Sequence, residues 1–150
     1  MTTGDGADRI QGGQGKDKIN AGGGNDIVDG GTGNDYVEGG SGLDVLGGGD
    51  GDDVIAGGRH SDLMYGGAGD DNMIGSHGED SLYGDDGADI LKGGGEGDLM
   101  DGGAGDDLIV GGVGDDDLIG GIGADTLKGN SNNDTLTDLS GDNRLVGGSG

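Results

Sequence analysis

Across its 150 residues the chain has no cysteine, no proline, no phenylalanine and no tryptophan. Without cysteine, neither a disulfide framework nor a thiolate zinc site can hold a fold together. Glycine supplies 45 residues, near the one-third of collagen. A chain with no proline and no period of three is nevertheless not collagen. Basic residues are scarce, seven against 31 acidic ones, giving a formal charge of −24. Such a surface repels phosphate backbones and argues against nucleic acid as a partner. No apolar run approaches the ~20 residues of a membrane-spanning helix. Met1-Thr2-Thr3 leads directly into patterned sequence, so no cleavable N-terminal signal peptide is expected. With 28% hydrophobic residues and three tyrosines as its aromatics, the composition resembles a disordered polymer.

What is present is order of another kind. From Thr3 to Val146 a nine-residue phrase, Gly-Gly-x-Gly-x-Asp-x-U-x with U a large aliphatic, repeats sixteen times without insertion or deletion. The copies Gly12–Asn20, Gly30–Glu38, Gly102–Val110 and Gly120–Lys128 are the cleanest. The sixth position is Asp in fifteen copies: Asp8, Asp17, Asp26, Asp35, Asp44, Asp53, Asp62, Asp71, Asp80, Asp89, Asp98, Asp107, Asp116, Asp125 and Asp134. The sixteenth has Asn143. The eighth position is apolar in all sixteen, from Ile10 to Leu145. A short fixed period means a repeat architecture.

The phrase divides into a six-residue glycine-rich loop and a three-residue x-U-x strand whose middle side chain points inward. Two phrases close one coil of 18 residues. Stacked coils then give two facing parallel sheets of short strands, an all-β solenoid forming one elongated domain over residues 3–150. The loops fall into two edge columns. Odd copies stack Asp8, Asp26, Asp44, Asp62, Asp80, Asp98, Asp116 and Asp134; even copies stack Asp17 to Asp125 and end at Asn143. Carboxylates ~4.8 Å apart repel strongly unless a cation lies between coils. The donors on offer are carboxylates and loop carbonyls, hard oxygens that suit calcium or magnesium, and calcium better tolerates carbonyl-rich cages. Seven gaps per column set a ceiling of about fourteen ions.

These copies resemble the RTX (repeat-in-toxin) nonapeptide, the hemolysin-type calcium-binding repeat. The resemblance covers Thr3 to Val146, with Gly147–Gly150 as a partial further copy. It implies a right-handed parallel β-roll in which each sixth-position Asp bridges successive calcium ions. By the same resemblance, carbonyls of the first and third positions complete each shell: Gly30, Thr32, Gly48, Asp50, Gly102 and Ala104. It further implies a bacterial protein secreted unfolded by a type I route, folding on calcium outside the cell. The family's usual C-terminal secretion signal or cap is missing, so a fragment is expected.

Departures from the phrase mark expected weak points. Position four is His60, Glu96 and Asn132 in three odd copies, and Glu96 should distort its loop unless Gly95 and Gly97 absorb the strain. Ser76, Asp85 and Asn130 replace second glycines, and Asp138 with Leu139 replaces both leading glycines of the last copy. Calcium should be held least well beside His60, Glu96, Asn132 and Asn143. His60 and His77 read as substitutions without function. No serine has a base placed nearby, so an enzyme is not expected. Asp50–Asp53 resembles an EF-hand start but lacks helical flanks and a twelfth-position Glu. The leading reading is a calcium-binding structural module. An adhesive or ice-binding surface is disfavoured because third positions vary from Gln14 to Ile122, and a module beside an absent catalytic domain is the other alternative. Outward position-seven residues form apolar stripes, Ile27, Val45, Leu63 and Leu99 on one face and Tyr36, Val54, Ile90 and Leu108 on the other. Such stripes suit either strand propensity or docking of a neighbouring domain or second copy.

Overall fold

The structure, a computed structural model, describes residues 1–138 and 140–150; Leu139 lies outside the described residues. It is all-β, with two eight-stranded parallel sheets and no helix among the described residues. The first sheet holds β1 (Arg9–Gln14), β3 (Ile27–Thr32), β5 (Val45–Asp50), β7 (Leu63–Ala68), β9 (Ser81–Asp86), β11 (Leu99–Ala104), β13 (Asp117–Ile122) and β15 (Thr135–Thr137). The second holds β2 (Lys18–Gly23), β4 (Tyr36–Ser41), β6 (Val54–Arg59), β8 (Asn72–His77), β10 (Ile90–Gly95), β12 (Leu108–Val113), β14 (Thr126–Ser131) and β16 (Arg144–Ser149). Each strand pairs with the one two places along, in an unbroken 18-residue register such as Ile10↔Val28 and Leu91↔Ile109. The chain is therefore a solenoid of eight coils, each an odd strand followed by an even one.

The strands are longer than the three residues read from the phrase. Most run six residues, from position seven through position three of the next copy. The leading glycines stay in the strand and pair in the ladder, as Gly31 does with Gly13 and Gly49, so the true turn shrinks to positions four to six. Two inward-facing positions result. Position eight carries the core, where Ile19, Leu46, Met73, Leu82, Ile109 and Leu127 are fully buried. Position one, two residues on, is a buried glycine in most copies. The two sheets thus meet across a single file of aliphatics. Position-eight burial fails at the far end, where Leu136 is only partly buried and Leu145 is exposed.

Because each coil contributes only two core side chains, every one should matter. Leu82→Ala is expected to cost about 2–5 kcal/mol in calcium-saturated urea unfolding. Val146→Ala, on the exposed last strand, should fall within about 0.5 kcal/mol of the parent.

Candidate metal centre

The turn between successive strands has three residues, such as Gly33-Asn34-Asp35 between β3 and β4. It closes because positions two and four take left-handed backbone, as at Gly31 (φ 110°) and Gly33 (φ 111°). The six side-chain-bearing exceptions, His60, Ser76, Asp85, Glu96, Asn130 and Asn132, adopt the same sign at φ 71–89°. Glu96 keeps the turn without either flanking glycine, Gly95 or Gly97, taking positive φ. Glu96 itself turns left-handed at φ 71°, and its Oε2 accepts the Gly78 N–H at 3.0 Å, which holds the exposed side chain along the edge.

The turn delivers each sixth-position Asp into the corner of the roll. Twelve of them, from Asp26 to Asp125, are buried, while Asp8, Asp17 and Asp134 at the ends are half-buried. One carboxylate oxygen is committed to the backbone: Oδ1 accepts the N–H of the Asp one coil earlier. Asp26 N donates to Asp44 Oδ1 at 2.8 Å, and Asp53 N to Asp71 Oδ1 at 2.7 Å. Seven such bonds run down each column, the even column ending where Asp125 N donates to Asn143 Oδ1 at 2.7 Å. An amide oxygen accepts this bond as well as a carboxylate does, which is why Asn fits there.

The second oxygen has no partner. Oδ2 of thirteen sixth-position residues, Asp26 through Asp134, is buried without a hydrogen bond. An orphaned carboxylate oxygen out of water is costly, and here it recurs at every coil after the first. Apart from Asp26, whose phrase begins with Ala21, each of these Oδ2 atoms faces the first glycine of its own phrase, as Asp62 shows. A β-carbon on Gly57 would lie 2.5 Å from Asp62 Oδ2 and 3.1 Å from Gly75 O of the next coil. The missing side chain leaves a cradle shared by a carboxylate oxygen and a carbonyl oxygen. Position-one carbonyls such as Gly30, Gly48 and Gly102 line these cradles. The position-three carbonyls of Thr32, Asp50 and Ala104 are already hydrogen-bonded, accepting from Gly15, Gly33 and Gly87 N–H at 2.6–2.8 Å, with one lone pair each left over.

No cluster of three or more His, Asp or Glu side chains able to hold a metal occurs among the described residues. Any cation here must lean on two carboxylates and backbone carbonyls, a hard-oxygen set fitting calcium. His60 and His77 line a shallow edge depression with Arg59, Gly78 and Glu96, without forming such a cluster.

Two residues were not legible as part of the site from the repeat. Asp138 stands at position one of the last copy, where the phrase has glycine. Its Oδ2 is buried and unpartnered, and a β-carbon on Gly120 would lie 2.6 Å from it and 2.7 Å from Asp125 Oδ2. Asp138 therefore places a carboxylate beside Asp125, in the gap where Asn143 lacks one. Ala21, also at position one, sets a methyl group in the corner that glycine leaves open elsewhere. Both could be found only by knowing that position one faces the carboxylate.

Burial raises the carboxyls of Asp62, Asp71 and Asp98 to about 7, and Asp107 to about 6, from an ordinary 3.8. Backbone N–H donation opposes this rise, and neighbouring carboxylates in the column reinforce it. Asp44, Asp53, Asp80, Asp89, Asp116 and Asp125 are raised for the same leading reason. Protonation thus stabilises the cation-free roll, fully below the ordinary value of 3.8, and the benefit is lost as pH rises through about 7. In chelator, circular dichroism should show more β-structure at about pH 5 than at about pH 8, and the opposite order would contradict the burial of these groups.

The family model for the RTX calcium-binding nonapeptide repeat (4 copies) matches this chain in overlapping windows, at residues 2–37, 29–64, 38–73, 57–91, 65–100, 92–127 and 128–150. A search of curated proteins found no match.

Proposed function

We propose that this chain, which belongs to the RTX calcium-binding nonapeptide repeat family, is a calcium-triggered structural module. It acts as a single β-roll domain over residues 3–150 that rolls up when calcium enters its edges. The observation supporting this most strongly is the buried, unpartnered Oδ2 repeated at thirteen sixth-position Asp residues. Bound calcium supplies the positive charge that these oxygens lack. The proposed ligands are the carboxylates of the fifteen sixth-position Asp residues with the carbonyls of Gly30, Gly48, Gly102, Thr32, Asp50 and Ala104. Asp138 joins Asp125 in the last even gap. Seven gaps in each of two columns allow about fourteen ions, whose charge would offset the formal −24 of the chain.

The corners exist only when successive coils are stacked, so binding and folding are one event. A glycine-rich, self-repelling chain stays open where calcium is scarce and closes where it is abundant. We place that transition outside the cell, where calcium modules work at ~10⁻⁴–10⁻³ M. The role is structural and non-catalytic, and the export of an unfolded chain would be assisted by folding on arrival.

A calcium titration followed by circular dichroism, with bound calcium counted by atomic emission, tests this. A cooperative gain of β-structure near millimolar calcium is expected, with magnesium a poor substitute. Asp71→Ala, which opens two gaps, should raise the midpoint by at least the ~10-fold that even outer-shell changes cause in metal sites. Asp138→Asn should remove one ion and leave the others; an unchanged count would sink the assignment of Asp138. A chain fully folded in chelator at neutral pH would sink the whole reading.

A further inference from the structure

The two outward faces of the roll differ in charge. On the even-strand face, positions seven and nine carry Lys18, Lys92, Lys128 and Arg144 against Glu38 alone. Four of the chain's seven basic residues are thus collected on one face of a protein of net charge −24. On the odd-strand face the same positions carry Asp29, Asp101 and Asp117 against Arg9. One face is net positive and the other net negative.

The faces also match in where they are apolar. Both carry apolar side chains over the second to sixth coils. On the odd face these include Ile27 and Val45, 44% and 37% exposed, and Tyr65, which stacks on Tyr83 at 5.3 Å between ring centroids. On the even face they include Val54, 38% exposed, and Tyr36, whose ring lies 4.7 Å beneath Lys18 Nζ. Charges border or interrupt each block: Lys18, Asp117 and Lys128 lie just outside it, and Asp29, Lys92 and Asp101 within it. At position nine, Asp29 comes level with Glu38 as the one like-charge pair. Asp29 and Lys18 lie at the N-terminal end, and Asp101, Asp117, Lys92 and Lys128 toward the C-terminal end.

We infer that the even-strand face of one copy docks on the odd-strand face of a second copy, coil level with coil. Strands on the two faces run in opposite directions, so position-nine residues of the two copies meet. Tyr65 then lies opposite Ile74, and Asp101 comes level between Lys92 and Lys128. Eight strands ~4.8 Å apart and six residues of ~3.3 Å give a face of about 750 Å². That is close to the ≈800 Å² per partner of a standard specific interface. The contact is heterologous, since it joins two different surfaces, so each added copy leaves one face of either kind free. It rests on the calcium reading in one respect: unneutralised edges would keep copies of charge −24 apart.

Sedimentation in ~1 mM calcium, with circular dichroism on the same samples to report folding, tests the contact. Mass should rise above the 14.4 kDa monomer with protein concentration and not stop at a dimer. Lys92→Glu with Lys128→Glu, and separately Asp101→Lys with Asp117→Lys, should each fold yet associate at least ~10-fold more weakly. Mixing the two variants should restore assembly, because every contact then pairs opposite signs. A folded wild type that stays monomeric would overturn the inference, as would variants that mixing does not restore. A folded monomer that instead binds anionic vesicles through Lys92 and Lys128 would also overturn it, in favour of a lipid surface. A chain that fails to fold in calcium would show in dichroism and defeat the calcium reading itself.

Discussion

Everything in this roll depends on a carboxylate oxygen that the protein buries and does not satisfy. Oδ1 of each sixth-position Asp stitches one coil to the next through a backbone N–H, and this bond fixes the carboxylate in the corner. Fixing it there leaves Oδ2 facing a glycine cradle with no donor. The polypeptide could have supplied lysine or arginine and has not, since its few basic residues lie elsewhere. The corner is therefore a dry, electron-rich site, and the proposed calcium would complete it. Local turn chemistry, glycine spacing and the stacking of coils all serve to build that corner again and again.

The core of such a chain is thin. Each coil but the last buries two aliphatic side chains, one from each sheet. Solenoids of this kind gain stability by adding neighbours, each coil covering the last. The exposed Leu145 and the shortened β15 show what happens where covering ceases. The edges are thus where a coil's stability is decided, and substitutions tolerated there are those that keep the backbone turn. His60, Glu96 and Asn132 all preserve left-handed φ at position four.

The Asp and aliphatic columns were legible because a strict period assigns partners without knowledge of three dimensions. Counting by eighteen pairs Asp53 with Asp71 as surely as the ladder does. Strand length was not legible, since Gly-Gly reads as turn. Only the ladder shows that Gly31 is paired on both sides before the chain bends. Distortion at Glu96 was expected unless its flanking glycines absorbed the strain; instead Glu96 itself takes left-handed φ, and the Gly78 N–H of the adjacent coil meets its carboxylate. Asp138 looked like decay of the repeat. Its position beside Asp125 becomes visible only once position one is known to face the corner. The opposed charge of the two faces was hidden for a related reason: Lys92 and Lys128 share a surface through coil phase, not proximity in sequence.

A crystal structure of the calcium-loaded chain, with anomalous scattering recorded for calcium, tests the central claim most directly. A peak is expected between successive coils along both edges, each in contact with Oδ2 of the flanking Asp residues, with one beside Asp138 and Asp125 as well. A well-ordered roll whose Oδ2 atoms meet only water or protein donors, with both edges free of anomalous density, would contradict that claim.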